Sequence, residues 1–321
     1  MRNQIECTDI TPQVSTLRDK LQIPLEYVFC GKKYPVYTPQ VLVFQTPDDV
    51  STFATSIIEA HLVDSSDSVT FPTGNTWKPM YRDMAKRSDV FTPLLQKRKS
   101  ACLDEYVMKK SNPNYKAVSY VVYTDDLIGR PQNLGPENWI RPDGTDDNPW
   151  VAADRFEYEL RQQGFSLYNL GIGPDAKTAK DEVLPPELTD SEIEEMVKKG
   201  NAIEASRHIG FIKLGTPPYC GATVIDLDRG TIFANNKKVP SPDNFPTQAI
   251  TQGPGDILRA DLRVIAATDR YKQRNIESVL FQSPDIVNPA SMATLGKTVI
   301  LLDAGAAGRT INRLKQEGLL S

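Results

Sequence analysis

SVTFPTGNT, residues 68–76, followed by WKPMYRDMAKR, residues 77–87, decides the fold class. A short run with strand propensity ends in a Pro-Thr-Gly-Asn-Thr loop, and a helical segment follows at once, with Thr76 placed to cap it. Strand, small-residue loop and helix in succession are one unit of an α/β domain. The flanking sequence repeats the unit. Upstream, PQVLVFQ (39–45) reads as a strand, and TPDDVSTFATSIIEAHLVDSS (46–66) reads as a helix. Thr46 is its cap, Pro47 suits its first turn, and Val50, Phe53, Ile57 and Ile58 recur at helical spacing. Downstream, SACLDEYV (100–107) and AVSYVVY (117–123) carry strand signals, and residues 125–149 form a polar connection. WVAADRFEYELRQQG (150–164) is helical and FSLYNLGIG (165–173) is a strand running into a glycine loop. DLRVIAAT (261–268), YKQRNIESVLF (271–281) and KTVILLDAG (297–305) add strand, helix and strand before a basic terminal helix. The expected organisation is an N-terminal extension over residues 1–38 and one α/β domain over residues 39–321. PLEYVFCGKKYPVY (24–37) in the extension reads as a hairpin that packs on the domain or on another subunit.

Composition narrows the function classes. The 321 residues are 40% apolar, enough for a substantial core. Lys and Arg total 37 against 41 Asp and Glu, with no long block of either sign, so a nucleic-acid surface is not expected. Cys7, Cys30, Cys102 and Cys220 are far apart and form no CxxC pair, which argues against a disulfide framework and a thiolate metal site. The start, MRNQIECTDITPQ, has acids where a secretory signal needs an apolar run, and no window reaches the length of a membrane span. A cytoplasmic setting is the expectation.

In an open parallel sheet ligands collect beyond the carboxyl ends of the strands. Thr73, Gly74, Asn75 and Thr76 sit at such an end. Gly74 permits close backbone approach, and its neighbours supply hydroxyl, amide and main-chain donors suited to phosphate; an ordinary capped turn reads the same way. Asp104 and Glu105 end the strand signal of ACLD. A carboxylate there can take a proton next to a carbonyl if burial raises its pKa, although adjacent residues of an extended chain face opposite ways. GIGPD (171–175) places Asp175 after two glycines. Of the two histidines, His61 falls in a helix and reads as a surface or boundary residue, whereas His208 opens HIGFIKLGTP (208–217) among small and apolar residues.

Taken in order, VTFPTGNTWKPMY, CLDEYV, NLGIGPD, HIGFIKLGTP, ATVIDLDRGTIFAN and QGPGDILRADLRVIAA resemble the landmarks of glucosamine-6-phosphate deaminase and its relatives, which include 6-phosphogluconolactonase. The resemblance spans roughly residues 40–308. It implies a doubly wound α/β fold with a mostly parallel sheet, helices on both faces and a phosphosugar pocket. It also implies Asp104 as the acid/base at sugar C2, Asp175 as the acid after the glycine loop and His208 as the ring-opening histidine. Thr73, Gly74, Asn75, Thr76 and Lys272 would hold phosphate, Thr216 would supply a hydroxyl, and Lys237 would stand near the phosphate. No metal or other cofactor is implied.

Two departures from the family pattern matter. The family's DGH string is interrupted, with a polar insert between Asp175 and His208 over residues 177–207. TDSEIEEMVKKG (189–200) within it reads as a short helix capped by Thr189 or Asp190. An alternative register puts Lys177 at the histidine position. Lys213 also stands where a deaminase carries an acid, which either redirects the pocket toward another anionic group or ends ring opening. The leading expectation is isomerisation and deamination of an amino-sugar phosphate. The alternatives are a non-catalytic phosphosugar-binding protein and a phosphogluconolactone hydrolase, the latter favoured by the Pro289, Ala290, Ser291 segment. Gly253 and Gly255 read as turn formers, and a homo-oligomer is expected.

Overall fold

Eight strands form the central sheet of the computed structural model, which describes residues 6–173, 177–178, 184–185, 188–203, 207–212, 214–227, 231–232 and 239–321. In chain order the described strands are β1 (Cys7–Asp9), β2 (Glu26–Phe29), β3 (Lys32–Pro35), β4 (Gln40–Phe44), β5 (Ser68–Phe71), β6 (Ser100–Cys102), β7 (Asp104–Tyr106) and β8 (Trp139–Ile140). They continue with β9 (Phe165–Gly171), β10 (Lys177–Thr178), β11 (Ala202–Ile203), β12 (Thr223–Asp226), β13 (Gln248–Thr251), β14 (Leu262–Ala267) and β15 (Thr298–Asp303). The main sheet runs β1-β4-β15-β14-β9-β5-β6-β8, parallel throughout except for β1 against β4.

Side chains alternate across this sheet and bury both faces. Val41, Val43, Ile265, Ala267, Ile300 and Leu302 join one cluster with residues of helices Pro149–Gln162, Gln273–Phe281 and Ala304–Gln316. Leu42, Phe44, Val264, Ala266 and Leu301 join the other with residues of helices Pro47–Asp64, Lys78–Lys86 and Ser88–Leu95. This is the doubly wound arrangement, and it explains why the strands read as continuous apolar runs. The first residues also pack here. β1 adds an antiparallel edge, Val14 and Leu17 of helix Thr11–Lys20 enter the first cluster, and Arg18 Nη1 donates to Leu280 O at 2.6 Å. The expected hairpin is β2–β3, with Tyr34 and Val36 packed on Met292 and Leu295.

Three local expectations are corrected. AVSYVVY is helical, over Tyr115–Val118 and Tyr120–Thr124, despite its β-branched and aromatic content. Ser119 caps the second piece by accepting from Val122 N–H, while the Glu105 carboxylate accepts from Tyr120 and Val121 N–H at 3.0 and 2.8 Å. These contacts outweigh strand propensity. SACLDEYV is not one strand. It breaks at Leu103, so that β6 stays in the main sheet and β7 joins a separate antiparallel sheet, β12-β13-β7. Gln252 satisfies the break, its main-chain N–H on Leu103 O and its side-chain amide on Cys102 O. Thr76 lies inside the 3-10 turn Asn75–Trp77 and is not a helix cap.

The polar insert leaves and re-enters at one place. Gly173 N–H donates to His208 O at 2.6 Å, and Ile172 bridges Ile209. Between them β10 pairs with β11, and helix Asp190–Lys198 starts in a reciprocal Thr189–Glu192 capping box. A connection of this length adds only slowly to closure entropy, so the ends can be held as if the insert were short.

Candidate active site

Chain connections run in opposite directions on either side of the β5/β9 pair: β5 leads to β6 and β8 on one side, β9 to β14 and β15 on the other. The carboxyl ends of these two strands therefore open a crevice at the switch point. A cleft of about 260 Å³ lies there. Its wall includes Thr73, Gly74, Asn75 and Thr76 after β5, Asp104 after β6, Gly171 and Ile172 at the end of β9, and Lys272 after β14. His208 completes it, carried in by the Ile172–Ile209 bridge.

Asp104 is 3% exposed. It is the first residue of β7, opposite Thr251 of β13, and the Thr251 hydroxyl and the Phe211 N–H both donate to Asp104 Oδ1. Burial pushes the carboxyl from 3.8 up to about 7, with the Thr251 and Phe211 hydrogen bonds opposing the rise. Gly210 keeps the chain close to it: φ is +58°, and a Cβ there would sit 3.2 Å from Asp104 Oδ1. Glu105 faces the other way. It accepts from Ser119 Oγ and from the N–H groups of Tyr106, Tyr120 and Val121, a structural carboxylate that anchors the helix beside the cleft. The two neighbouring acids thus divide into one that faces the cavity and one that organises its wall. Thr251→Val removes a donor that favours the charged form of Asp104. The acid limb of any Asp104-dependent rate then moves to higher pH, as read from a pH–rate profile.

The Gly74 loop is held by its own turn, with Trp77 N–H on Gly74 O at 3.1 Å. Lys272, in the 3-10 turn Arg270–Lys272, donates from Nζ to Ile172 O and so reaches across the mouth of β9. An ammonium and a loop of backbone and hydroxyl donors face the same space, a suitable setting for a phosphoryl group.

The structure thus gathers Thr73, Gly74, Asn75, Thr76, Asp104, His208 and Lys272 around one cleft. Thr216 is not among the residues that line it. Asp175, Lys213 and Lys237 lie outside the described residues. The backbone of Lys177 is paired with Ile203 in the β10–β11 ribbon, while His208 stands in the cleft wall. Gly253 and Gly255 serve chain packing: Cβ atoms there would fall 2.1 Å from Cys220 O and 2.7 Å from Tyr219 O. Ser291 is buried, accepts from Asp285 N–H and donates to Asn288 O, so the Pro289–Ser291 segment is part of the core.

Several cleft residues had weak sequence signals. Tyr120 lines the cavity and its phenol is pushed up to about 12 by burial. It sat in a segment that read as strand. Phe211 and Trp77 line the wall, and Phe211 stacks on Tyr120 with centroids 5.6 Å apart. Asp269 and Tyr271 line the Lys272 side. Asp269 has φ +73° and ψ 165°, a backbone region that favours glycine. Two contacts hold it there: its N–H donates to the Asp303 carboxylate at 3.1 Å, and its own carboxylate accepts from Tyr271 N–H at 2.8 Å. Only the turn-forming sequence TDRYK hinted at this.

Among known proteins, the chain is 25% identical over 271 residues to glucosamine-6-phosphate deaminase of Halothermothrix orenii, covering 84% of this chain and 98% of that protein. It is 26% identical to the Staphylococcus aureus (strain JH9) enzyme of the same name over 75% of this chain and 84% of that one. A solved monomeric glucosamine-6-phosphate deaminase superposes with a TM-score of 0.68 at 23% identity, covering 84% of this chain and 99% of that one. The 6-phosphogluconolactonase of Trypanosoma cruzi superposes with a TM-score of 0.60 at 15% identity, covering 86% and 98%. No protein-family model matches the chain. Fold, switch-point cleft and sequence similarity converge: the chain is similar in sequence to the glucosamine-6-phosphate deaminases and has the α/β fold of the solved deaminase and 6-phosphogluconolactonase.

Proposed function

We propose that this protein isomerises an amino-sugar phosphate and releases its nitrogen as ammonia, acting on a substrate of the glucosamine 6-phosphate type. The observation that carries this reading is a buried carboxyl, Asp104, poised at about 7 in the same cleft as His208, the Gly74 loop and Lys272. A general base is most effective when its pKa lies near the working pH. With the phosphoryl group on Thr73–Thr76 and Lys272, His208 passes a proton to the ring oxygen and opens the sugar. Ionised Asp104 then removes the C2 proton as the C1 carbonyl oxygen takes one; a proton returned to C1 as one leaves the nitrogen gives the C2 imine, and water adds at C2 so that ammonia leaves and the ketose phosphate remains. Because the base works ionised, the rate rises with pH through about 7, the range to which burial has moved Asp104.

The test is a screen of amino and non-amino sugar phosphates that reads ammonia release together with solvent deuterium, at C1 of the ketose product and at C2 of recovered aldose. Ammonia with deuterium supports deamination. Deuterium without ammonia reduces the activity to isomerisation, and saturable binding without either leaves a sugar-phosphate binder. Lys272→Gln should weaken sugar-phosphate affinity about 10- to 100-fold, the worth of one charge-assisted hydrogen bond, as measured by calorimetry. A second reading, hydrolysis of a phosphogluconolactone, is favoured by the likeness to the Trypanosoma cruzi protein. Acid production from the lactone, with no exchange at C2 of any aldose phosphate, would select it.

A further inference from the structure

A second cavity, of about 660 Å³, lies where β14 and β15 begin, at the opposite end of these strands from the cleft. Strand β3 of the hairpin closes one side, and Pro218 and Tyr219 close another. Its volume falls within the roughly 300–1,000 Å³ of small-molecule sites. Arg263, 2% exposed, lines it from the core side. Nε donates to Lys297 O at 3.2 Å, and Nη1 donates to Ile257 O and Ala260 O at 3.2 and 3.0 Å. Three neutral carbonyls thus orient the guanidinium. Among the described residues no carboxylate pairs with it, and its Nη2 donates to none of them. Gly296, also in the wall, makes the room that Nη2 occupies, since a Cβ there would overlap it. Burial pulls Arg263 from 12.5 down to about 10, against the opposing influence of Tyr37 and Asp261. A buried cation held only by neutral groups is costly, and an oxyanion on its free edge offsets that cost.

The other charges of the wall leave a positive balance. Arg259 is spoken for, paired with buried Asp256 at 2.5 Å. Asp261 faces Arg263 from an exposed position, outside ion-pair contact. Lys32 and Lys297 stand exposed on the rim, Lys32 with Nζ 5.1 Å over the Tyr34 ring, and neither has an ion-pair partner among the described residues. The four cations of the wall are therefore set against two carboxylates, Asp261 within it and Asp256 behind Arg259. Aromatic surface adjoins the charge: Tyr37 and Tyr219 are exposed, and Phe29 of the hairpin lies 6.0 Å from the Tyr219 ring. Exposed rings beside cations suit a planar group joined to an anion.

We infer that this cavity binds a small molecule carrying both an oxyanion and a planar ring, of the nucleoside monophosphate class. The oxyanion sits on Arg263 Nη2 and Lys297, and the ring lies against Tyr37 and Tyr219. The site stands whether or not the cleft is catalytic, and its test uses no turnover. The full chain is titrated by calorimetry with adenosine 5′-monophosphate, adenosine and inorganic phosphate, alongside its Lys272→Gln variant and a Lys32→Gln/Lys297→Gln variant. Saturable binding of the nucleotide that survives Lys272→Gln and weakens about tenfold or more in the double-lysine variant supports the site. Arg263→Met should abolish that binding; the rim variant carries the test if this core substitution does not fold. Phosphate bound as tightly as the nucleotide supports the oxyanion seat and overturns the role of the tyrosines. Adenosine bound as tightly as the nucleotide overturns the seat. Binding lost in Lys272→Gln, unchanged in the double-lysine variant, or absent for all three probes overturns the proposal.

Discussion

Asp104→Asn is expected to lower the rate of C2 proton exchange by about 10²- to 10⁴-fold while sugar-phosphate binding persists, because only the base is lost and the Gly74 loop and Lys272 remain. The same substitution changes how stability depends on pH. The folded-state pKa of Asp104, about 7, is above its ordinary 3.8, so the native chain holds this proton more tightly than the unfolded chain. Its contribution is fully present below the lower value and is lost as pH rises toward 7. At roughly 1.4 kcal/mol per pH unit, the loss amounts to ~4 kcal/mol at most. The carboxamide that replaces the carboxyl has no proton to lose, so denaturant midpoints between pH 5 and 8 should fall with pH in the parent chain and stay nearly level in the variant. Turnover of an authentic substrate by Asp104→Asn at the parental rate would remove Asp104 from the chemistry. A pH dependence of stability unchanged by the substitution would show that burial does not hold its proton.

Gly253→Ala is expected to cost about 3 kcal/mol or more, the upper range for forcing an extra carbon into a packed interior. The added Cβ would lie 2.1 Å from Cys220 O and 2.2 Å from Gly221 O, both backbone atoms that can give way only if the strand connection moves. Gly253 directly follows β13 and Gln252, which support Thr251 and the β6–β7 break. The strain therefore reaches Asp104. A large drop in melting temperature is the expected reading, and proton exchange at C2 should fall in whatever protein still folds. Gly74→Ala is the contrasting control: open space surrounds its Cβ position, so stability should change little. A Gly253→Ala chain as stable as its parent would show that the close approach to residues 220–221 is not a constraint.

Much of the fold was legible because periodicity reports burial directly. PQVLVFQ, FSLYNLGIG, DLRVIAAT and KTVILLDAG read as strands since a parallel sheet covered on both faces needs apolar side chains at consecutive positions. The capping box at Thr189 and Glu192 was likewise visible, as its partners are neighbours in sequence. AVSYVVY failed for the opposite reason. Its helix is held by Glu105, a residue distant in the chain, and local propensity carries no record of that contact.

Residue types were enough to nominate Asp104, His208 and the Gly74 loop, because chemistry restricts which side chains can move protons or hold phosphate; Lys272 was nominated only through the resemblance to the deaminases. What the sequence by itself determined was this inventory and the α/β alternation that orders it. Only the tertiary structure decided the rest: the turn of the chain at Leu103 that sends Asp104 and Glu105 to different tasks, the closure of the insert that returns His208 beside Gly173, and the burial that raises Asp104. Those depend on hydrogen bonds and desolvation between residues far apart in the chain, and such contacts exist only once the sheet and its helices have packed.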